Sequence, residues 1–470
     1  MATPTGVLAE SLAKSRAFLA RMMDRSAPRV MLLTSSLGSG HMMAAQALTT
    51  ALRAAGRPVE IETLDVWSLV DPEVATALQS AYLEMIVAEP ELFDAVYRLG
   101  QRTWRSLFDA DKSLPPQLET FFEHFSTRVD RAKGTAPELA DGERHPSDRL
   151  LLRYLQASVA RRRRNGPGTV FRPVLARWAW ARVARRLEQR VADFGPHVAI
   201  ATQMSPAVLL ASIKQRRDLE LPLIAVPTDF GIHDAWLQPG IGHYCVAHDS
   251  IACADLPTGS VLLATGIPLQ PGFRHPPPQA SARRTLGLHP ERQVVLVAGG
   301  GLGLGVAKLA ERLLAEVPEA RIVAVSGRNR EARDALAALQ PRDPGRLVDC
   351  GWTERMPTWL SAADVVVGKP GGLTVAESLA CGRYLLAINS PGGQESFNVR
   401  FLAEHGAGAL VGEAELGERL RALLADPAQL LALHARAAAV GRRDGAACIA
   451  ALALDLVHAA RAARWNGGPT

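Results

Sequence analysis

The chain has 470 residues, which exceeds the size of one ordinary hydrophobic core and predicts two domains. With 48% hydrophobic and 21% charged residues, the composition excludes an intrinsically disordered chain. The formal net charge of +6 favours anionic partners such as nucleotide phosphates, acidic lipids or nucleic acid.

The cysteines and the hydropathy pattern bear on the cellular compartment in which the protein is expected to lie. The five cysteines show no paired metal-ligand spacing, which is typical of reduced thiols in a cytosolic protein. The sequence contains no run of about eighteen consecutive apolar residues, so no membrane-spanning helix is predicted. The N-terminus also lacks the pattern of a secretory signal. It has instead an amphipathic pattern, either packed on its own domain or in contact with a membrane surface. Its apolar face is Leu8, Leu12, Leu19, Met22 and Met23, and its basic residues are Lys14, Arg16, Arg21 and Arg25.

Strand-like apolar runs alternate with helical stretches almost throughout, which predicts parallel α/β sheets. The predicted strands are 29–34, 59–65, 197–202, 222–228 and 261–265 in the first half, then 293–298, 321–326, 346–350, 364–368 and 383–388. A proline-rich connector, 270–279, separates the two sets. The fold class is therefore α/β, with two Rossmann-like doubly wound domains facing one another across a cleft.

The interval from about 72 to 195 is helical in pattern and is interrupted by a polar stretch near 133–148. The basic run Arg161–Arg164 follows. The interval is either a solvated insertion or a basic surface for anionic lipid headgroups.

The first strand leads into the loop Ser35–His41, in which Gly38 and Gly40 permit a tight turn at the sheet edge where open α/β folds bind ligands. His41 then projects into that edge, and a neutral imidazole can accept a proton from a hydroxyl. The third glycine of a dinucleotide-binding fingerprint is absent, which disfavours a Rossmann dehydrogenase.

Two further loops are predicted to face the same cleft. Residues 227–236 bring together Asp229, His233 and Trp236, which are suited to binding hydroxyl groups or to orienting His41. The alternative is an Asx-turn with a surface histidine and a packed tryptophan. Residues 299–305 contain five glycines, including Gly300 and Gly301. They predict a backbone cradle for phosphate, with an interdomain hinge as the alternative.

The most informative stretch is 351–407, which reads as a nucleotide-diphosphate pocket built from two strand-to-helix junctions. At Gly371 and Gly372, free backbone N–H groups and the positive end of a helix favour a phosphate. Glu377, one turn into that helix, is placed to accept hydrogen bonds from both hydroxyls of a ribose. At the second junction, Gln394 and Glu395 are placed to grip a sugar.

These segments resemble the GT-B glycosyltransferases of the family containing monogalactosyldiacylglycerol synthases and processive diacylglycerol glucosyltransferases. The lipid II N-acetylglucosaminyltransferase is a more distant relative. KPGGLTVAESLACG, PGGQESFN and EHGAGAL resemble the family's donor site, SSLGSGH its acceptor-side loop, and PTDFGIHDAW a loop ending in His-Pro-Thr-Trp. The chain departs from the family pattern at Ser36, Ser39, Asp234 and Gly392, mostly on the acceptor side.

The resemblance implies a role for each matching residue. His41 would be the general base, with Asp229 and His233 as further catalytic residues and with Gly38, Gly40 and Trp236 in the acceptor loop. The implied donor-binding residues are Gly300, Gly301, Ser326, Arg328, Asn329, Trp352, Met356, Gly371, Gly372, Leu373, Thr374, Glu377, Gln394 and Glu395.

The resemblance also implies domains, reaction and location. Residues 1–272 would be the acceptor-binding domain, 273–445 the UDP-sugar-binding domain and 446–470 a C-terminal helix. The expected activity is inverting, metal-independent transfer of a hexose from a UDP-sugar to a lipid hydroxyl, with diacylglycerol or a related glycolipid as acceptor. No cofactor is expected besides the UDP-sugar substrate, and the expected location is cytoplasmic, peripheral to the inner face of the cell membrane.

Three other functions remain open at this point. A UDP-N-acetylglucosamine 2-epimerase shares the architecture but needs additional carboxylates in the cleft and no acceptor. A glycosyltransferase acting on a soluble acceptor and a nucleotide-sugar-binding regulatory protein are the others. Nucleic-acid binding is not expected, because the arginines are dispersed and no stacking motif accompanies them.

Overall fold

The computed structural model describes residues 27–36, 39–70, 75–76, 172–301, 303, 305–339, 345–388 and 393–466. Several sequence predictions lie outside these residues. They are the amphipathic N-terminal pattern, Gly38, nearly all of the interval 72–171 with its basic run, and Gly392.

The first lobe is a parallel six-stranded sheet with the strand order β2-β1-β3-β4-β5-β6. Its strands are β1 Arg29–Thr34, β2 Glu60–Asp65, β3 Val198–Ala201, β4 Leu223–Ala225, β5 His243–Val246 and β6 Val261–Ala264. Its helices are α1 Ser39–Arg53, α2 Arg172–Phe194 and α3 Met204–Arg217. Helices cover both faces of the sheet, so the central strands are apolar without alternation, as in the fully buried run VAIA of β3.

The second lobe is also a parallel six-stranded sheet, in the order β12-β11-β10-β7-β8-β9. Its strands are β7 Val294–Ala298, β8 Arg321–Val325, β9 Leu347–Asp349, β10 Val365–Gly368, β11 Leu385–Ala387 and β12 Gly408–Leu410. Its helices are α4 Gln279–Thr285, α5 Val306–Glu316, α6 Arg330–Leu339, α7 Met356–Ala362, α8 Gly372–Ala380, α9 Glu395–Glu404, α10 Leu416–Ala425 and α11 Pro427–Val440.

The predicted α/β class and every predicted strand are confirmed, with ends shifted by at most three residues. The sequence reading missed β5 and β12. Both are short, and neither carries an apolar run long enough to show a period. Their strand conformation comes from pairing with β4 and β6, and with β11.

The chain crosses between the lobes twice in the described part. The proline-rich connector is packed rather than free, because Phe273 is buried in the core of the second lobe and a Cβ at Gly272 would lie 2.9 Å from Pro357. Helix α12, Gly445–Asn466, returns to the first lobe. Its buried residues Ile449, Ala453 and Val457 pack with Leu48 and Leu52 of α1.

Among the described helices, none combines the length and the apolarity that crossing a bilayer requires.

Candidate functional site

The two lobes meet at loops that follow the carboxyl ends of their strands, and glycines allow the close approach. A Cβ at Gly301 would lie 2.2 Å from Oγ of Ser39, and a Cβ at Gly231 would lie 2.4 Å from the ring of Phe397. A Cβ at Gly40 would lie 3.8 Å from Leu373. Atoms do not approach to 2.2–2.4 Å without bonding, so a side chain at Gly301 or Gly231 would separate the lobes.

His41 lies in the first turn of α1, directly at this contact. Its Nδ1 is 2.9 Å from the carbonyl oxygen of Thr202 and 3.1 Å from Oγ1 of Thr228. Because a carbonyl only accepts, Nδ1 carries the proton, and Nε2 is the basic nitrogen of the neutral ring. Two strand ends of the first sheet therefore fix both the orientation and the tautomer of His41.

Burial holds His41 in its neutral form. Desolvation lowers the pKa of His41 from 6.5 to about 4, and the hydrogen bond to the Thr202 carbonyl opposes that shift only partly. At neutral pH the His41 ring is therefore uncharged.

The loop after β4 carries Thr228 and Asp229 into the interface. Asp229 accepts a 2.9 Å hydrogen bond from Nδ2 of Asn398, a buried residue of α9 in the second lobe. Desolvation raises the pKa of Asp229 to about 6; the Asn398 hydrogen bond lowers it, nearby Glu395 raises it and Lys369 lowers it. The two lobes thus share one cluster of polar groups beside His41.

The other residues predicted from this loop have structural partners. His233 is buried and its Nδ1 accepts the backbone N–H of Ala235, which caps a short 3₁₀ turn. Trp236 is buried in the first-lobe core. The packed arrangement that the sequence left open is the one found for Trp236.

The glycine loop after β7 adopts left-handed backbone at Gly300, Gly303 and Gly305, with φ of 64°, 56° and 72°. Only glycine takes such angles at low cost. The loop lies against the turn after β8, since a Cβ at Gly303 would be 2.1 Å from the Ser326 carbonyl oxygen. It therefore contacts both the second sheet and, through Gly301, the start of α1.

The two glycines at the start of α8, Gly371 and Gly372, have different surroundings. Among the described residues, a Cβ at Gly371 would have only Oγ1 of Thr374 within 4 Å, at 4.0 Å. A Cβ at Gly372 would lie 1.8 Å from the Thr228 carbonyl oxygen of the first lobe. Gly371 is the N-cap of α8 and gives it no side-chain cap, so the helix start has no side-chain acceptor of its own. Gly372 is thus needed for lobe contact, whereas Gly371 lies clear of the other described side chains at an uncapped helix start.

This difference gives a stability prediction. Gly372→Ala is expected to destabilise the closed structure by about 1–3 kcal/mol, as overpacking of a tight contact does. Gly371→Ala is the matched control, since among the described residues its methyl group would have no neighbour closer than 4.0 Å. Thermal unfolding of ligand-free protein should show the lower transition temperature for Gly372→Ala, and small-angle scattering should show its lobes further apart. Equal unfolding curves and equal radii would contradict the close contact.

Glu377 lies one turn inside α8 and is half-buried. No hydrogen bond reaches its carboxyl group from the part of the chain that the structure describes. Desolvation alone raises the pKa of Glu377 to about 8. A desolvated carboxyl group without a hydrogen-bond partner is unfavourable, and a ligand hydroxyl would relieve that cost at Glu377.

Glu395 opens α9 and is also buried. Its Oε1 is 2.6 Å from Nζ of Lys369, while its Oε2 has no hydrogen-bond partner among the described residues. Burial raises the pKa of Glu395, and Lys369 opposes that shift. Gln394 is half-buried beside it at the N-cap of α9. The second junction therefore offers one unsatisfied acceptor oxygen.

A cavity of about 460 Å³ lies at the ends of β8 and β9. Arg328 and the exposed Trp352 line it, with the guanidinium 4.2 Å from the indole centroid. Ser326 and Asn329 instead support the local turns: Ser326 donates to Asp349, and Asn329 caps α6 by accepting the N–H of Ala332. Met356 begins α7 and packs against the second-lobe core.

Several residues of this cluster were not among the predicted site residues. Thr202, Thr228, Lys369 and Asn398 all contact predicted residues. The sequence signal for Lys369 and Asn398 was their place in KPGG and QESFN. Nothing local marked Thr202, since its contact with His41 joins positions 161 residues apart.

Comparisons with known proteins agree with this architecture. Residues 173–269 match the family model for monogalactosyldiacylglycerol (MGDG) synthase, and residues 294–446 match the glycosyltransferase family 28 C-terminal domain. The crystal structure of Acinetobacter baumannii MurG superposes with a TM-score of 0.52 at 14% identity, covering 91% of this chain and 99% of that one.

Two curated relatives are processive diacylglycerol beta-glucosyltransferases. The protein from Bacillus subtilis (strain 168) is 29% identical over 248 residues, which cover 52% of this chain and 64% of the relative. The protein from Bacillus cytotoxicus is 25% identical over 330 residues, covering 68% of this chain and 84% of the relative. The chain therefore has the GT-B fold and is similar, over residues 173–269 and 294–446, to the monogalactosyldiacylglycerol synthases and to the C-terminal domain of family 28 glycosyltransferases.

Proposed function

We propose that this protein transfers a hexose from a UDP-sugar to a hydroxyl group of a membrane lipid, diacylglycerol or a related glycolipid, with inversion at the anomeric carbon. The observation that carries the proposal is the position of His41. Its ring contacts Thr228, whose carbonyl oxygen packs against Gly372 at the start of α8. The His41 ring of one lobe is thus linked through Thr228 to the start of α8 in the other lobe.

The reaction follows from these groups. Nε2 of His41 accepts the proton of the acceptor hydroxyl as that oxygen forms a bond to the anomeric carbon. The bond from the anomeric carbon to the diphosphate breaks, and UDP leaves with its electron pair. An α-linked donor therefore gives a β-glycoside.

The second lobe binds the donor in this scheme. The N–H groups at the start of α8 and the glycine loop at Gly300 and Gly301 stabilise the charge that develops on UDP. Glu377 accepts hydrogen bonds from the ribose hydroxyls, and Oε2 of Glu395 accepts one from a donor-sugar hydroxyl. Among the described residues, no hydrogen bond reaches the carboxyl group of Glu377 or Oε2 of Glu395, and this scheme supplies a hydroxyl to each.

The lipid acceptor is supported by the names of the curated relatives and by the basic charge of the chain. An anionic bilayer attracts such a protein and raises its concentration near a lipid substrate. Binding at the inner face of the cell membrane is the location that follows from this proposal.

One structural observation keeps the epimerase alternative worth testing. That reaction needs additional carboxyl groups in the cleft, and Asp229 and Glu395 lie there. Each is engaged, Asp229 with Asn398 and Glu395 with Lys369, which favours positioning over proton transfer.

A single assay separates these functions. UDP release is measured with UDP-glucose, UDP-galactose and UDP-N-acetylglucosamine, each with diacylglycerol in vesicles, with a soluble alkyl glycol, and without acceptor. We expect release only with the lipid, and faster release when the vesicles contain anionic lipid. Conversion of UDP-N-acetylglucosamine without acceptor would show an epimerase. Equal release with the soluble alcohol and with vesicles would contradict the lipid acceptor.

A further inference from the structure

Asn398 is a side chain of α9 whose hydrogen bonds reach both lobes at the described site. It has 0% exposure and makes three hydrogen bonds. Its Oδ1 accepts the backbone N–H of Phe230 at 2.7 Å, and its Nδ2 donates to Oδ1 of Asp229 at 2.9 Å and to the Pro370 carbonyl oxygen at 2.9 Å. Phe230 and Asp229 belong to the first lobe, whereas Pro370 precedes the start of α8.

The loop that Asn398 holds is the loop that contacts the imidazole. Thr228 precedes Asp229 directly, and its Oγ1 is 3.1 Å from Nδ1 of His41. The carbonyl oxygen of Thr228 meets Gly372. A shift of residues 228–230 therefore moves a partner of His41 and the lobe contact together.

We propose that Asn398 is a positioning residue that couples closure of the two lobes to the alignment of His41. The proposal rests on the proposed function for the role of His41 as base. Asn398 touches no reacting atom in this scheme. It fixes the 228–230 loop against the donor-site junction, and the loop in turn fixes the imidazole.

The chemistry of the amide suits this position. The site presents one N–H donor, one carboxylate and one carbonyl oxygen to a single side chain. Only an amide side chain both accepts from the first and donates to the other two without a change of protonation. An aliphatic side chain would leave all three groups buried without partners, which is costly.

Apolar contacts surround the amide and bring the same surfaces together. The rings of Phe230 and Phe401 lie 4.3 Å apart between centroids, and Phe397 packs against Gly231. Such contacts favour closure without fixing the exact register. The amide adds direction, because its hydrogen bonds form only when the loop and Pro370 are both in place.

The decisive variant is Asn398→Asp, which keeps shape and the acceptor for Phe230. It replaces the donor with an oxygen facing the Asp229 carboxylate and the Pro370 carbonyl. Lys369 and Glu395 are the other charged groups near Asp229. At pH 8 we expect kcat to fall about tenfold or more, as loss of a hydrogen bond to a charged group does, with UDP affinity within about twofold of wild type. As the pH is lowered, the two facing carboxyl groups take up a shared proton that restores a donor, and kcat should recover.

The matched control is Gln293→Glu, an amide-to-acid change at a second-lobe site where the amide donates only to the Leu424 carbonyl. It should leave the kcat profile against pH unchanged. A parallel loss of UDP affinity and kcat at every pH in Asn398→Asp, as general damage to the second lobe would give, overturns the proposal.

A second readout does not depend on activity. The His41 ring titration is followed by NMR and assigned through the missing signal of His41→Gln. The titration is compared between wild type and Asn398→Ala, and between wild type and Asn398→Asp at pH values where the variant is folded. In each variant, loosening of the loop should admit water and raise the His41 pKa from about 4 towards 6.5. An unmoved titration overturns the coupling. If wild-type protein shows no acceptor-dependent UDP release, the proposed function fails while this titration still decides the link to Asn398.

Discussion

Replacing His41 with alanine is expected to lower turnover by about 10²–10⁴-fold, the usual contribution of a general base, and to leave UDP affinity within about twofold. The reason is the separation of groups between the lobes. The imidazole belongs to the first lobe, held by Thr202 and Thr228, while the proposed nucleotide groups Gly371 and Glu377 belong to α8. Single-turnover rates with vesicle-bound diacylglycerol and calorimetric UDP titration measure the two quantities separately.

The control for this variant is His289→Ala, which removes an exposed imidazole from a turn of the second lobe. Its turnover should stay at the wild-type value. Turnover of His41→Ala within a few-fold of wild type would remove His41 from the role of base. Loss of UDP binding together with turnover would instead indicate that the variant disturbs lobe closure.

The low pKa of His41 also sets the pH range of its activity. Only the neutral ring accepts a proton, and the ring is neutral above about pH 4 in the free protein. The His41 contribution to kcat/KM should therefore persist through the range where an exposed histidine, with a pKa of 6.5, loses its function. Asp229, whose pKa is raised to about 6, titrates within the same interval. In Asp229→Asn that second titrating group is absent, so the acid side of the kcat/KM profile against pH reports His41.

Replacing Glu377 with glutamine is expected to weaken UDP binding by about 10–100-fold, since a carboxylate shared by two hydroxyls gives stronger hydrogen bonds than an amide. In the free protein the pKa of Glu377 is about 8, so the carboxyl group is mostly protonated at pH 7. Two ribose hydroxyls that donate one to each oxygen favour the ionised form, because both oxygens are then free, charged acceptors. UDP binding should therefore release a proton at pH 7 and become tighter as the pH rises towards 8, then level off.

Titration calorimetry in two buffers of different ionisation enthalpy measures that proton directly. Glu377→Gln should show no release from this group, whereas Glu418→Gln, an exposed glutamate of α10, should behave as wild type. Proton release that persists unchanged in Glu377→Gln, or UDP affinity that does not rise between pH 6 and 8, would contradict the assignment to the ribose.

The candidate site was predictable wherever one short segment carries the whole feature. The junction at Gly371 could be read from sequence because an apolar run, a glycine pair and a helical pattern follow one another. Glu377 was predictable because one helical turn fixes its place relative to the helix start. In contrast, Gly372 was expected to face an anion, and the structure places the Thr228 carbonyl of the other lobe against it.

Asp229 and Trp236 show the limit of the same reasoning. They lie seven residues apart in one loop and seemed equivalent as polar and aromatic cleft residues. Trp236 turned into the core of the first lobe, while Asp229 met Asn398 of the second. A loop sequence does not state which side chain points inward, because that depends on the surface packed against it.

The sequence by itself determined the two parallel sheets, the turn at each strand end and the chemical character of the residues placed there, since period, glycine position and helix starts are local properties of the chain. Only the tertiary structure decided which of those residues meet. Asn398 reaches Asp229 across 169 positions, and Thr202 reaches His41 across 161. Such pairings depend on how two separately folded lobes fit together, and the close contacts at Gly301 and Gly372 fix that fit.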